Sequence, residues 1–158
     1  MKSFVAITLL ALLLLLISYA LSSGKAYAPV TEQTATAPVT KEVASLQFEI
    51  VRTQEAQARG LSGRTDVPHG YGMLFVFSTP DTYSFWMKDM LVPIDILWLS
   101  DDGTILGLED SVAPSSYPDT SFTAPSPVRL VLELRAGEAR LRGLSIGQRV
   151  ALPAGWQK

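Results

Sequence analysis

The chain has 158 residues, of which 47% are hydrophobic and 18% are charged, and its formal net charge is −2. This length suits one domain, and the slightly acidic balance argues against nucleic acid as a partner, because phosphate binding needs a basic surface. The chain has no cysteine, which excludes disulfides, thiolate metal ligands and a thiol nucleophile.

The N-terminal segment combines a basic start with a long apolar run. Lys2 precedes an apolar stretch from Phe4 to Leu21 that contains five consecutive leucines. This pattern is typical of an export signal or an N-terminal membrane anchor, and its length lies between the two classes, since a spanning helix needs about 17–25 apolar residues. Residues 1–21 are therefore predicted to be either a signal peptide or an anchor that makes the membrane a partner. The protein is predicted to be periplasmic or extracellular, either secreted or tethered to the inner membrane.

Residues 22–45 are rich in Ala, Thr, Pro and Val and show no helical or alternating period. Such a composition predicts a flexible linker. The folded domain is predicted to span residues 46–153, which is enough chain for one modest core.

Inside this domain, hydrophobic periodicity predicts short strands with two short helices between them. Thr53 is a predicted cap for the first helix, which ends at Gly60, and the second helix is predicted from Glu138 to Arg142. Residues 111–127 contain four prolines and are predicted to form a long loop or an edge excursion. The predicted strands are residues 46–51, 73–77, 83–87, 94–99, 104–108, 128–134 and 148–152. This order predicts an α+β fold: a β-rich single domain with a strongly curved sheet or a small barrel.

Sites for metals and cofactors are not indicated. His69 is the one histidine, and zinc or copper sites need further His or Cys ligands. The glycine-containing stretch from Gly60 to Arg64 lacks the spacing of a phosphate-binding loop. No metal and no cofactor are therefore predicted.

Two carboxylates stand alone in apolar strands, Asp95 in "VPIDILWL" and Glu133 in "LVLEL". Burial would raise the pKa of such a group. They could line one pocket as an acid and base pair. Alternatively, each could turn outward or bind backbone N–H groups in a purely structural role.

The stretch "FWMKDM" (residues 85–90) places a lysine and an aspartate among aromatic and thioether side chains. Strand alternation would put Trp86 and Lys88 on one face and Met87 on the other, which predicts a strand covered on both faces. Lys88 could lay its stem over Trp86 or reach Asp95, and Trp86 could form an aromatic wall with Trp98. Ordinary core packing of these aromatics is the other interpretation.

Five of these motifs, in this order and spacing, resemble the domain-of-unknown-function family 192 (DUF192), a group of small, often exported proteins. The similarity covers residues 46–152. It is carried by Gly72 to Phe75, Phe85 to Lys88, Pro93 to Ile96, Val131 to Leu134, and Ala136 with Gly137. The resemblance implies a compact β-rich domain and no particular activity.

The chain departs from the family pattern at three places. Ser62-Gly63 stands where the family usually has Met and a variable residue before Arg64, and Asp89-Met90 stands where Asn-Thr is common. Many members also carry cysteines in the segment that corresponds to residues 111–127.

Charged residues among tryptophans in apolar strands are typical of pockets. We therefore predict a small periplasmic binding or accessory module that contacts a small molecule or an envelope component. The alternative is a hydrolase that uses Asp95 and Glu133 as acid and base, so the question of enzymatic activity stays open. The candidate ligand-binding residues are Arg64, His69, Trp86, Lys88, Asp95 and Glu133.

Overall fold

In the computed structural model of the protein, residues 46–158 are described, and they contain seven strands and two α-helices. The strands are β1 (Gln47–Val51), β2 (Tyr71–Asp81), β3 (Ser84–Phe85), β4 (Ile94–Leu99), β5 (Ile105–Val112), β6 (Phe122–Thr123) and β7 (Val128–Arg135). The helices are α1 (Gln54–Arg59) and α2 (Glu138–Leu141), and a short 3-10 helix spans Pro114–Ser116. The predicted signal or anchor (1–21) and linker (22–45) lie outside the described residues.

Five strands form one mixed sheet in the order β1-β2-β7-β4-β5. The β1–β2 pair is parallel and the other pairs are antiparallel, while β3 and β6 form a separate two-stranded ribbon. The five-stranded sheet is open, with β1 and β5 at its edges, so the small-barrel form of the prediction is not adopted. The prediction of a β-rich α+β single domain with two short helices is confirmed.

Both faces of the sheet are buried. Alternate residues of the central strands point to opposite faces, so each strand contributes side chains to both cores. One face carries the Phe75 core, which includes Met73, Phe75, Ile96, Trp98 and Val131. The other carries the Leu132 core, which includes Leu74, Leu97, Leu99, Leu130, Leu132 and Leu134. This double coverage explains why the central strands are apolar at nearly every position.

Local capping bounds α1 as predicted. The Thr53 side chain accepts a hydrogen bond from the backbone N–H of Ala56, at 3.2 Å, and α1 ends where Gly60 takes a positive φ of 51°. The leucine that follows each helix is buried: Leu61 joins the Phe75 core and Leu144 joins the Leu132 core. The segments that follow the two helices are therefore anchored on opposite faces of the sheet.

The sequence interpretation was wrong for residues 148–152 and for the stretch 85–90. Residues 148–152 form no strand, only an isolated bridge between Arg149 and Thr104. The segment 111–127, predicted as a loop or an edge excursion, contains the short strand β6, which pairs with β3. The stretch 85–90 is not a strand covered on both faces, because β3 ends at Phe85. Met87 and Met90 are both buried in a turn closed by the Met90 N–H donating to the Met87 carbonyl at 3.2 Å.

No helix within residues 46–158 is long and apolar enough to cross a membrane.

Candidate functional site

A pocket of about 240 Å³ lies on the Phe75 side of the sheet, between α1 and residues 83–90. One wall is aromatic, and the opposite wall is formed by α1 and the turn that follows it. Glu133 of β7 also lines the pocket. The aromatic wall consists of Phe75, Phe77, Tyr83, Phe85 and Trp86.

The aromatic wall is built from rings that pack on one another. Phe77 stacks on Tyr83 with ring centroids 3.6 Å apart, and Phe85 meets Phe75 edge-on at 5.1 Å. Phe75 and Phe77 lie two residues apart on β2, so both point to the same face of the sheet. Trp86 is more exposed, with 54% of its surface accessible, and it offers an apolar surface to a bound molecule.

The opposite wall is held to the sheet and to the "FWMKDM" turn by hydrogen bonds. Gln57 of α1 donates from Nε2 to the Val76 carbonyl at 3.0 Å. The Ser62 hydroxyl donates to the carbonyl of Lys88 at 2.9 Å, and the Gly63 N–H donates to that of Asp89 at 2.8 Å. The "FWMKDM" turn therefore positions this wall through its backbone, while the Lys88 and Asp89 side chains are exposed.

The Glu133 carboxyl is buried beside Gly60. It lies opposite Met73 of β2 and Ile96 of β4, and only 6% of the residue is exposed. Burial raises the pKa of Glu133 to about 8, although a hydrogen bond from the Leu61 N–H and the charge of Arg64 both act to lower it. Its Oε2 atom is buried and has no hydrogen-bond partner among the described residues. The carboxyl is therefore mostly neutral at pH 7 and has an open hydrogen-bonding position.

Asp95 serves a structural role on the opposite face of the sheet. Its carboxylate accepts the backbone N–H groups of Ser111 and Gly137 at 2.9 Å and of Ala139 at 2.8 Å. Gly137 precedes α2 and has no side chain to cap it, so Asp95 supplies the missing acceptor. Burial raises the pKa of Asp95, and these three hydrogen bonds oppose that effect. Lys88 is not among its partners, so the suggested Lys88–Asp95 pair is wrong.

This placement also removes the acid and base pair on which the hydrolase alternative depended. Asp95 lies opposite Leu134, whereas Glu133 lies opposite Ile96. Since neighbouring residues of a strand point to opposite faces, the sheet separates the two carboxyls. They cannot act on one bond of one substrate.

Arg64 belongs to a cluster outside the pocket. Its guanidinium donates to the Glu49 carboxylate at 2.8 Å and lies 5.3 Å from the centre of the Tyr71 ring. The Tyr71 hydroxyl donates to the same Glu49 oxygen at 2.5 Å. Arg64 lines a neighbouring hollow that shares Arg59, Gly60 and Ser62 with the pocket.

His69 belongs to a second cluster, centred on Glu138. Its Nδ1 lies 2.7 Å from Oε2 of the buried Glu138, whose Oε1 accepts from Arg142 Nε at 2.7 Å and from the Gly70 N–H at 3.0 Å. Burial by itself would raise the pKa of Glu138, but the hydrogen bonds from His69, Arg142 and Gly70 outweigh it and lower the pKa. This cluster ties the loop before β2 to α2.

Of the six predicted ligand-binding residues, two line the pocket: Trp86 and Glu133. The Lys88 side chain is exposed, and the other three candidates lie in structural clusters elsewhere in the domain. Sequence reasoning missed the four ring residues that form most of the aromatic wall. The signal for two of them is their spacing, because Phe75 and Phe77 lie two residues apart on β2 and share a face.

Within residues 46–158, no group of three or more His, Asp or Glu side chains is arranged to hold a metal ion.

Comparisons with known proteins place this domain in a family. The family model DUF192, described as "Uncharacterized ACR", matches residues 35–152. No curated protein sequence matches the chain.

Two crystal structures resemble the fold, each at 32% sequence identity. A protein from Sinorhizobium meliloti 1021, described as a candidate transcription regulator, matches with a TM-score of 0.62 over 66% of this chain and 79% of its own. A protein of unknown function from Novosphingobium aromaticivorans DSM 12444 matches with a TM-score of 0.63 over 68% of this chain and 75% of its own. Since the family model covers well over half of the sequence, the chain belongs to the DUF192 family.

Proposed function

We propose that this protein is a small exported or membrane-tethered binding module, which holds a small molecule or part of an envelope component in the pocket beside Glu133. One observation carries the proposal: an aromatic pocket contains a buried carboxyl oxygen that no group of the described residues satisfies. Ligand sites typically combine apolar walls with a few well-placed polar groups.

The energetics of this oxygen support binding. A buried polar atom without a partner destabilises a protein by roughly 1–3 kcal/mol. A ligand that hydrogen-bonds Glu133 Oε2 recovers part of this free energy, and contact with the exposed Trp86 ring adds apolar burial. Both gains are available at one pocket.

Binding is tested by a thermal-shift screen of small compounds against the full-length protein, since a specific ligand raises the apparent melting temperature. Ala58 lines the pocket from the exposed side of α1, so Ala58→Trp should fill the entrance and abolish the shift. Asp119→Trp is the control, because Asp119 is exposed and does not line the pocket. Compounds that stabilise both variants equally would count against this site.

Export is supported by Lys2 and the apolar run from Phe4 to Leu21. A fusion of residues 1–45 to alkaline phosphatase, which is active only after export, should be active in a bacterial host. Leu14→Arg should reduce that activity, because a charge at the centre of an apolar segment costs about 2.5–3.5 kcal/mol on insertion. An inactive fusion would contradict export, and N-terminal mass spectrometry of the exported product would distinguish a cleaved signal from a retained anchor.

A further inference from the structure

The pocket also restricts the chemistry of its ligand. We infer that it takes a small, uncharged, largely apolar molecule that carries a hydrogen-bond acceptor, such as a ketone or an amide, and that this acceptor binds at Glu133 Oε2. The inference rests on the proposed function, because it assigns a ligand class to the same pocket.

The first argument is the hydrogen-bonding state of Glu133. The Leu61 N–H lies close enough to the carboxyl to lower its pKa, and Oε2 is the carboxyl atom that has no partner among the described residues. Since burial raises the pKa to about 8, the carboxyl carries a proton at pH 7. A neutral carboxyl carries one O–H donor, and the unpartnered Oε2 is the position where that donor has no acceptor within the described residues. The group that complements it is an acceptor.

The second argument is the charge around the pocket. Glu133 is the one acidic residue in the lining, and Arg59 also lines it. The positive charge of Arg64 reaches Glu133 as well. A cationic ligand would have to displace the Glu133 proton close to two guanidinium groups. An anionic ligand would find both guanidinium groups already paired, Arg59 with Glu55 at 2.9 Å and Arg64 with Glu49 at 2.8 Å, and burying a charge without an ion pair is unfavourable.

The third argument is shape and size. The cavity volume of about 240 Å³ lies just below the range of roughly 300–1,000 Å³ that is typical of drug-sized ligands. The Phe77–Tyr83 stack and the edge-on Phe75–Phe85 pair present ring faces and edges against which a small ring can pack. A compact molecule with a ring or a short aliphatic body fits these walls.

Three probes with the same carbon skeleton test the assignment on the full-length protein. Acetophenone carries an acceptor, ethylbenzene carries no polar group, and 1-phenylethylamine is a cation near neutral pH. Dissociation constants are measured by saturation-transfer NMR titration at pH 7 and pH 9. At pH 7, acetophenone should bind about five- to tenfold more tightly than ethylbenzene, the effect of one buried hydrogen bond.

At pH 9 this preference should disappear. With a pKa of about 8, the protonated fraction of Glu133 falls about tenfold between pH 7 and pH 9, and the apparent affinity falls with the competent fraction. In Glu133→Gln, whose amide donates at both pH values, the preference for acetophenone should persist at pH 9.

The Glu133→Gln variant also controls for pH effects that come from other groups near Glu133. The charged and titratable groups that face it are Arg59, Arg64, Tyr83 and, on β1, Glu49. Hydrogen bonds from Tyr71 and Arg64 lower the pKa of Glu49, and the hydrogen bond to Glu49 raises that of Arg64, so this pair stays ionised throughout. Any pH effect that these four groups cause would also appear in Glu133→Gln.

Three results overturn the ligand class: equal binding of acetophenone and ethylbenzene at pH 7, tighter binding of 1-phenylethylamine that strengthens as the pH rises, or no binding of acetophenone. If the thermal-shift screen still yields ligands that Ala58→Trp blocks, the proposed function stands and only the ligand class is wrong. If the screen yields no such ligand, the proposed function and the ligand class are both wrong.

Discussion

Replacing Glu133 by Gln should remove a specific pH dependence of folding stability. The Glu133 side chain is buried beside Gly60, and its Oε2 has no partner within the described residues. Burial therefore disfavours the charged form and raises its pKa from 4.5 to about 8. Gln has nearly the shape of the neutral acid and does not titrate, so the variant isolates the ionisation of this one group.

The sign and size of the effect follow from linkage. Between pH 4.5 and pH 8 the folded state retains a proton at Glu133 that the unfolded state has released. The stability that this proton contributes is complete below pH 4.5 and is lost as the pH rises through 8. Each pH unit within this window corresponds to about 1.4 kcal/mol. From pH 5 to pH 8, the wild type should lose roughly 3–4 kcal/mol relative to Glu133→Gln, a large share of a typical domain stability of about 5–15 kcal/mol.

Urea denaturation of both proteins at pH 5, 6, 7 and 8 measures this difference. All three tryptophans, Trp86, Trp98 and Trp156, lie within the described domain, so their fluorescence reports its unfolding. Titration of every other group cancels in the comparison of the two proteins at each pH. A difference in unfolding free energy that stays constant from pH 5 to pH 8 would refute the reasoning, because it would mean that Glu133 ionises in the folded state as it does in the unfolded chain.

Three further predictions concern the structural clusters and the pocket turn. Asp95→Asn should lower the unfolding free energy, measured by urea denaturation, by about 2–4 kcal/mol, because an NH₂ group replaces an oxygen that accepts backbone N–H groups. The control Asp119→Asn, at an exposed position, should change the unfolding free energy by less than about 0.5 kcal/mol. Equal effects of the two substitutions would contradict the capping role of Asp95. Gly60→Ala should cost about 1–3 kcal/mol, since φ is 51°, ψ is −133° and an added Cβ would lie 3.3 Å from a phenyl carbon. Gly63→Ala should destabilise the protein less than Gly60→Ala, because an added Cβ at Gly63 meets nothing within 4 Å. A lower melting temperature for Gly63→Ala than for Gly60→Ala would contradict this prediction. Glu138→Gln should destabilise the protein at pH 7 and progressively less as the pH falls below 4.5, because the folded-state pKa of Glu138 is lowered. A loss of unfolding free energy that grows on acidification would contradict this direction of the pKa shift.

Much of the fold could be predicted because it depends on local patterns. The β4 strand has the predicted bounds, 94–99, since a continuous apolar run between turn signals is typical of a central strand. Thr53 and Gly60 bound α1 as expected, because capping depends on residues within one turn of the helix. Strand 122–123 could not be predicted, because its pairing with β3 comes from a distant part of the chain.

The site was harder to predict, because its chemistry depends on contacts that are distant in sequence. The sequence suggested Lys88 as the partner of Asp95, seven positions away, whereas the amides that bind Asp95 are 16, 42 and 44 residues away. Trp86 and Glu133, which the sequence had grouped as candidate ligand-binding residues, both line the pocket. Arg64 and His69 were grouped with them only because they are charged or titratable residues in a nearby loop.

By itself, the sequence determined the β-rich class, most of the strands, the helix ends and the family. It also marked Asp95 and Glu133 as unusual, because a carboxyl in an apolar strand must be either satisfied or neutral. Only the tertiary structure decided which carboxyl is satisfied by hydrogen bonds and which keeps an open hydrogen-bonding position. A strand has two faces, and the register of β7 against β2 and β4 directs Glu133 toward the aromatic pocket and Asp95 toward the start of α2. Asp95 is thereby satisfied by backbone amides, and Glu133 is left with an open hydrogen-bonding position.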